Sequence, residues 1–254
     1  MSKIPTYQKL AMELHTLIEQ GTYPPGSTLP RITDLAEQRG LNEHTVRQAY
    51  AWLEAKGLVS VLKRHGTIVR DRTTIRVSLS RYGKVLAPGG SRGPWETATF
   101  ELGLAGRMAM VGVEQIAADQ SVATALGVEP GTTVHRRRRR ALIDDEIHHL
   151  QTAFYPPDIA DRAGLTGAET IVGGIYGAMT AAGWPPVELD ETVRARMPEP
   201  DEAAELHIGN GVPLLLVERI TRDRTGRTVE LLRITAPADR IELSYDRLPL
   251  GEAS

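Results

Sequence analysis

The chain has 254 residues, 41% hydrophobic and 24% charged, with a formal net charge of −2. That length supports one or two domains with real cores, and the absence of cysteine excludes disulfides, thiolate zinc sites and thiol nucleophiles, as suits a reducing compartment. No apolar run approaches membrane length, and Met1-Ser2-Lys3-Ile4-Pro5 lacks the apolar stretch of a signal peptide, so a cytoplasmic location is expected. Charge is unevenly spread: residues 1–72 carry 10 Lys and Arg against 7 Asp and Glu, a net +3, and the remainder carries 20 against 25, a net −5. Attraction to a polyanion is therefore expected in the N-terminal part.

Tyr7, Leu10, Ala11, Leu14, Leu17 and Ile18 recur at helical spacing and predict a first amphipathic helix that stops at Gly21, before Pro24-Pro25-Gly26. Ile32, Leu35 and Ala36 mark a second helix closed by Gly40; Val46, Ala49, Tyr50 and Leu53 mark a third, with Asn42 as N-cap and Gly57 at its stop. Residues 58–62 and 67–69 then alternate about the turn Lys63-Arg64-His65-Gly66, which predicts a hairpin with a cationic tip. Three helices and a hairpin in this order are a winged helix-turn-helix, and the third helix is the candidate recognition helix. Turning its apolar stripe inward leaves Glu43, His44, Arg47, Gln48 and Ala51 outside. A solvated helix face is the plain alternative, and the hairpin directly behind it argues against that.

On this reading Arg47 and Gln48 read base edges, and Asn42 and Thr45 orient the helix. Arg31, Lys63, Arg64 and His65 contact phosphate or the minor groove, and Glu43, His44, Gly66 and Thr67 complete the expected DNA-binding set.

Residues 73–94 lose periodicity and gain breakers, notably Pro88-Gly89-Gly90-Ser91-Arg92-Gly93-Pro94, and read as a linker, with a short strand within it at 75–79. From residue 95 to 254 strands and helices follow in an order that suits an α+β domain, an antiparallel sheet with helices. Predicted strands are 133–143 and 147–154 about the turn Asp144-Asp145-Glu146, and 214–223 and 228–235 about Arg224-Thr225-Gly226-Arg227; helices are expected near 120–126, 170–182 and 201–206. Within the first strand Arg136 to Arg140 run consecutively, so alternation sends Arg136, Arg138 and Arg140 to one face and Arg137 and Arg139 to the other. His148 and His149, adjacent on a strand, are expected to face opposite ways, and the seven histidines show no metal-ligand spacing.

The N-terminal part resembles the GntR family of bacterial transcription regulators. The resemblance rests on Pro25-Gly26-Ser27-Thr28-Leu29-Pro30, on Thr45-Val46-Arg47-Gln48-Ala49, and on Gly57-Leu58-Val59 leading to a wing that ends in Gly66-Thr67. Where the family usually has Ser-Glu after Leu-Pro and Ser-Arg at the third helix, this chain has Arg31-Ile32 and Asn42-Glu43. Glu43 thus removes a common phosphate or guanine contact and is suited to accept from a cytosine amino group. The C-terminal part resembles the UTRA domain of the HutC subgroup, whose fold is like that of chorismate lyase, through Leu126-Gly127-Val128-Glu129-Pro130-Gly131, the arginine strand, Gly174-Ile175-Tyr176 and Gly211-Val212-Pro213-Leu214-Leu215-Leu216 before Arg219.

The resemblance implies a repressor that binds an inverted-repeat DNA operator as a homodimer and responds to a small, anionic effector. An Arg-x-Arg clamp on the arginine strand would hold the anion. Counting to the following turn selects Arg138 and Arg140, and a one-residue shift selects Arg137 and Arg139. Tyr176, Glu230 and Tyr245 are the other expected effector contacts. Gly174, where sugar-phosphate sensors often carry a hydroxyl residue, argues against an amino-sugar phosphate.

No cofactor, metal or catalytic residue is expected. A pyridoxal-phosphate domain would need more chain and a lysine beyond residue 72 other than Lys84. The rival readings are an architectural or plasmid-maintenance DNA-binding protein whose C-terminal domain only dimerises, and a lyase-like enzyme.

Overall fold

The structure is a computed structural model, described here for residues 4–62, 65–78, 94–169, 171 and 173–244. The chain forms two compact units, one comprising Met1–Thr73, Arg196–Leu214 and Pro237–Asp239, the other Thr74–Ala195, Leu215–Ala236 and Arg240–Ser254.

In the first unit α1 (Thr6–Glu19), α2 (Ile32–Arg39) and α3 (Glu43–Ala55) are followed by β1 (Val59–Leu62) and β2 (Gly66–Val69). Leu10, Ala11 and Leu14 of α1, Leu35 and Ala36 of α2, and Val46, Ala49, Tyr50 and Leu53 of α3 share one core with Leu58, Val59 and Val69. Gly40 ends α2 in the left-handed region at φ 61°. Asn42 caps α3, its Oδ1 accepting from the Thr45 amide at 2.8 Å, which satisfies one of the unpaired donors of the first turn. Tyr50 donates to the Pro30 carbonyl at 2.7 Å and so ties α3 to the loop before α2. The wing has an edge not visible in the sequence: the Val69 amide donates to Ser27 at 2.8 Å and the Leu29 amide to Thr67 at 2.8 Å, which lays residues 27–29 along β2.

Late residues of the chain complete this unit. A short helix, α8 (Pro200–Glu205), precedes a segment that packs on the C-terminal end of α3. A β-carbon at Gly211 would collide with the Ala55 carbonyl, and one at Gly209 would stand 2.8 Å from the Glu54 carbonyl oxygen. Ser60 donates to the His207 carbonyl at 2.7 Å. The Arg70 side chain, 1% exposed, donates to the Gly57 carbonyl at 2.7 Å and holds Asp239 through two bonds of 2.7 and 3.1 Å.

The second unit is built on a six-stranded sheet. Its elements are β4 (Gly106–Ala117), β5 (Thr133–Ile143), β6 (Glu146–Tyr155), β7 (Glu188–Arg196), β8 (Leu214–Arg222) and β9 (Thr228–Pro237), in the order β4-β5-β6-β9-β8-β7. The pairs β4–β5, β5–β6 and β6–β9 are antiparallel. β3 (Ile75–Ser78), from the stretch read as linker, pairs in parallel with β10 (Ile241–Ser244).

Helix α5 (Gln120–Leu126) buries Val122, Ala123 and Leu126 against Val134, Phe154 and Leu231 on one face of the sheet. Helices α6 (Pro157–Arg162) and α7 (Gly174–Ala181) cover the other through Ile159, Ala160 and Met179, packed on Ala153, Tyr155 and Leu232. Helix α4 (Pro94–Phe100) places Trp95 and Ala98 against Ile75 and Ala141. The helix expected over 170–182 begins only at Gly174, because Gly173 before it sits at φ 79°, where a right-handed helix cannot pass. Among the described residues no helix is long and apolar enough to cross a membrane.

Candidate functional site

Helix α3 carries the first candidate site. Its buried stripe leaves Glu43, His44, Arg47 and Gln48 exposed, and Arg31 is exposed at the start of α2. Asn42 Oδ1 accepts from both the amide and the hydroxyl of Thr45, at 2.8 and 2.9 Å, so these two residues are engaged in holding the helix start. Arg47 Nη2 stands 3.5 Å from Glu43 Oε2, one turn earlier. In the wing His65 and Gly66 are exposed, Gly66 at φ 85°. The Thr67 side chain is buried, contrary to its place in the expected DNA-binding set, because alternation along β2 turns it inward. Lys63, Arg64 and Tyr245 lie outside the described residues.

The arginine strand, β5, gives the second. Pairing with β6 sets Arg137 opposite Ala153 and Arg139 opposite Gln151, while Arg136, Arg138 and Arg140 stand opposite Phe154, Thr152 and Leu150. Ala153 belongs to the face covered by α6 and α7, and Phe154 to the face covered by α5. Arg138 and Arg140 therefore do not share a face with Tyr176 and Glu230, and the expected four-residue cluster is not assembled. Arg136 and Arg138 meet Glu114 instead, at 2.9 and 3.4 Å. The open groove on that side is lined by Gln120, Ser121, Thr124, Glu218, Ile220 and Arg222, among others, without either of the expected arginines.

The register shift between Ala141 and Leu142 does not move these faces: Leu142 pairs with Ile147 and Ala141 with His149, so the extra residue, His148, lies in β6 and β5 alternates unbroken. A bulge reverses the faces of the strand that carries it, here β6; which face of β5 the helices cover is set by its pairing and not by the count to the turn. The same irregularity brings His148 and His149 together, their Nδ1 atoms 3.1 Å apart, where strict alternation would separate them.

On the α6–α7 face the side chains converge. Tyr155 donates to Glu230 Oε1 at 2.7 Å, Tyr176 to Oε2 at 3.1 Å, and the Tyr176 hydroxyl lies 3.4 Å from Thr221 Oγ1. Glu230 is 2% exposed, so two phenols replace the water its carboxylate gives up. Burial, then the Glu230 carboxylate, push the Tyr155 phenol well above its ordinary range, so it remains a donor.

Arg137 is equally buried and donates to the carbonyls of Leu165 and Gly167, which pins the loop after α6; burial lowers its pKa. Arg139 makes no hydrogen bond or ion pair among the described residues, and its Nε is shielded from solvent. Beside it Gln151 Nε2 lies 3.0 Å from His149 Nε2, and Trp95 lies against both histidine rings at 4.7 and 4.8 Å between centroids. Burial foremost, then His148 and Arg139, hold His149 well below its ordinary pKa. With Gln151 donating to Nε2, the neutral ring's Nδ1–H donates to His148 Nδ1. Tyr155 and Thr221 were missed from the sequence; two steps from Ala153, Tyr155 falls on the Arg137 face, and that spacing is the signal that would have found it.

A family model for the gntR family of bacterial regulatory proteins matches residues 6–69, and one for the UTRA domain matches residues 101–242. An HTH-type transcriptional regulator of Streptomyces coelicolor is 30% identical over 258 residues, covering 96% of this chain and 93% of that protein. The HTH-type transcriptional repressor NagR of Bacillus subtilis is 25% identical over 250 residues, covering 97% of each. Among solved structures, a GntR-family transcriptional regulator aligns with a TM-score of 0.61 at 27% identity, covering 98% of this chain and 99% of that one. PhnF from Mycobacterium smegmatis aligns at 0.58 and 25% identity, covering 94% and 98%.

Proposed function

The chain belongs to the GntR family of bacterial regulatory proteins and carries a UTRA domain, and from that premise we propose that it is a cytoplasmic repressor that binds an inverted-repeat operator as a homodimer and is released by a small anion. As a member of that family it is a DNA-binding transcriptional regulator rather than an enzyme. The observation that carries the proposal is the capped helix α3, whose exposed face presents Arg47 and Gln48 next to a wing. The N-terminal residues of such a helix contact base edges in the major groove, and cationic residues on the flanks fix its register on phosphates.

The effector site is the face shared by Arg139, Tyr176 and Glu230, and of the alternative pair Arg137 and Arg139 it is Arg139 that meets the anion. Arg139 is the anion contact, since its guanidinium has no protein acceptor among the described residues; Arg137 holds the adjoining loop. Release follows if the anion binds more tightly to the arrangement in which the two reading helices no longer match the half-site spacing. NagR is named as a repressor, which supports that sense of regulation.

The test is selection from a random duplex pool by the full-length protein, followed by affinity for the selected sequence against salt concentration. Recovery of an inverted repeat with a steep salt dependence is expected. Enrichment of a single, unrepeated half-site would refute the dimeric reading, and no enrichment would refute sequence-specific binding by the free protein.

A further inference from the structure

Glu43 and Arg47 lie one helical turn apart on the solvent side of α3, their side chains 54% and 62% exposed, with Glu43 Oε2 and Arg47 Nη2 3.5 Å from each other. A carboxylate at the start of a reading helix is unfavourable against phosphates and against the acceptor-rich edges of guanine and thymine. It is accommodated only opposite a donor, and the major groove offers two, cytosine N4 and adenine N6. Arg47, beside it, offers donors and selects guanine O6 and N7.

These two requirements are met by one base pair. Guanine O6 and cytosine N4 are joined by a Watson–Crick hydrogen bond and are therefore about 3 Å apart. Across the major-groove edge of a G·C pair the order is acceptor, acceptor, donor. The Arg47 guanidinium and the Glu43 carboxylate offer donor, donor, acceptor, with a spacing of 3.5 Å between the last two. Asn42 does not compete for the cytosine amino group through its oxygen, which is occupied by Thr45.

We propose that Glu43 and Arg47 read the whole edge of a single G·C pair in each half-site, Arg47 on the guanine and Glu43 on the cytosine amino group. An A·T pair at that position keeps the N7 acceptor but sets the adenine N6 donor toward Arg47 and the thymine O4 acceptor toward Glu43, so the bidentate Arg47 contact and the Glu43 contact are both lost. The ion pair also sets the Arg47 side chain before DNA arrives, which lowers the ordering cost of the contact, and it offsets the negative charge that Glu43 brings toward the phosphates. This inference rests on the reading of α3 as the DNA-reading helix.

The test takes the selected operator and replaces, one pair at a time, guanine by 7-deazaguanine or the opposing cytosine by N4-methylcytosine. The first removes the N7 acceptor; the second keeps the base pair but replaces the amino hydrogen that faces the groove. Affinity of the full-length protein is measured at fixed salt. One pair per half-site is expected at which each replacement weakens the wild-type protein about tenfold. Glu43→Ala should abolish the N4-methylcytosine effect and leave the 7-deazaguanine effect, and Arg47→Ala should abolish the latter. A 7-deazaguanine effect with no N4-methylcytosine effect at the same pair, or an N4 effect that survives in Glu43→Ala, overturns the paired reading and leaves α3 as the reader. Indifference to both replacements at every pair overturns base reading by α3 itself.

Discussion

Replacing Asp239 by Ala removes the carboxylate that holds Arg70, whose side chain is 1% exposed and bonded to it at 2.7 and 3.1 Å. An uncompensated buried charge typically costs about 3–5 kcal/mol. Two features reduce that figure here: Asp239 is itself 29% exposed, and Arg70 keeps its bond to the Gly57 carbonyl. The expected loss is therefore about 2–3 kcal/mol, or on the order of 10 °C in the melting temperature of a unit of this size. Urea unfolding followed by Trp52 fluorescence, with Trp95 and Trp184 replaced by Phe, reads the DNA-binding unit alone. Arg70→Met should cost less than Asp239→Ala, because it removes the charge along with the partner. Adding Asp239→Ala to Arg70→Met should then cost under about 1 kcal/mol, a coupling of about 1–2 kcal/mol. A loss below about 0.5 kcal/mol for Asp239→Ala, or the same loss in both backgrounds, would refute the argument.

Arg139→Ala is expected to abolish release from the operator by the inducing anion while leaving operator affinity in its absence unchanged, and Arg138→Ala to leave release intact; the opposite pattern in a titration of the preformed complex would return the clamp to the α5 face. Gly211→Ala, which drives a methyl into the Ala55 carbonyl, should destabilise the DNA-binding unit by about 1–3 kcal/mol in the same urea assay, and an unchanged midpoint would show that the contact with α3 is slack. His149 is neutral when folded and titrates near 6.5 when unfolded, so the unfolded state binds the extra proton: stability is full above that pH and falls below it, by up to about 1.4 kcal/mol per pH unit. His149→Phe should flatten this acid limb, and an unchanged slope would assign the proton elsewhere.

The winged helix was legible because each of its stops is local chemistry. Gly40, Asn42 and Gly57 act within one turn of their own positions, and the structure uses them as a residue-by-residue reading expects. The hairpin about Asp144-Asp145 was legible for the same reason. What was lost depends on partners distant in sequence. Five identical side chains carry no alternation of their own, so the faces of Arg136 to Arg140 were decided by pairing with β6. The edge strands β4 and β7 escaped because β4 is half-exposed along most of its length and the second half of β7 is exposed throughout, which blurs the period of two. Nothing near Asp239 or Gly211 announces a neighbour at Arg70 or Ala55.

The assembly of the DNA-binding unit from three separated stretches has a consequence during synthesis. The winged helix leaves the ribosome with Arg70 still lacking its carboxylate and with the end of α3 uncovered. Asp239 is added roughly 170 residues later, about 10–30 s at bacterial elongation rates. Through that interval the emerging chain holds an incomplete DNA reader, and a chain broken off before Asp239 never completes it.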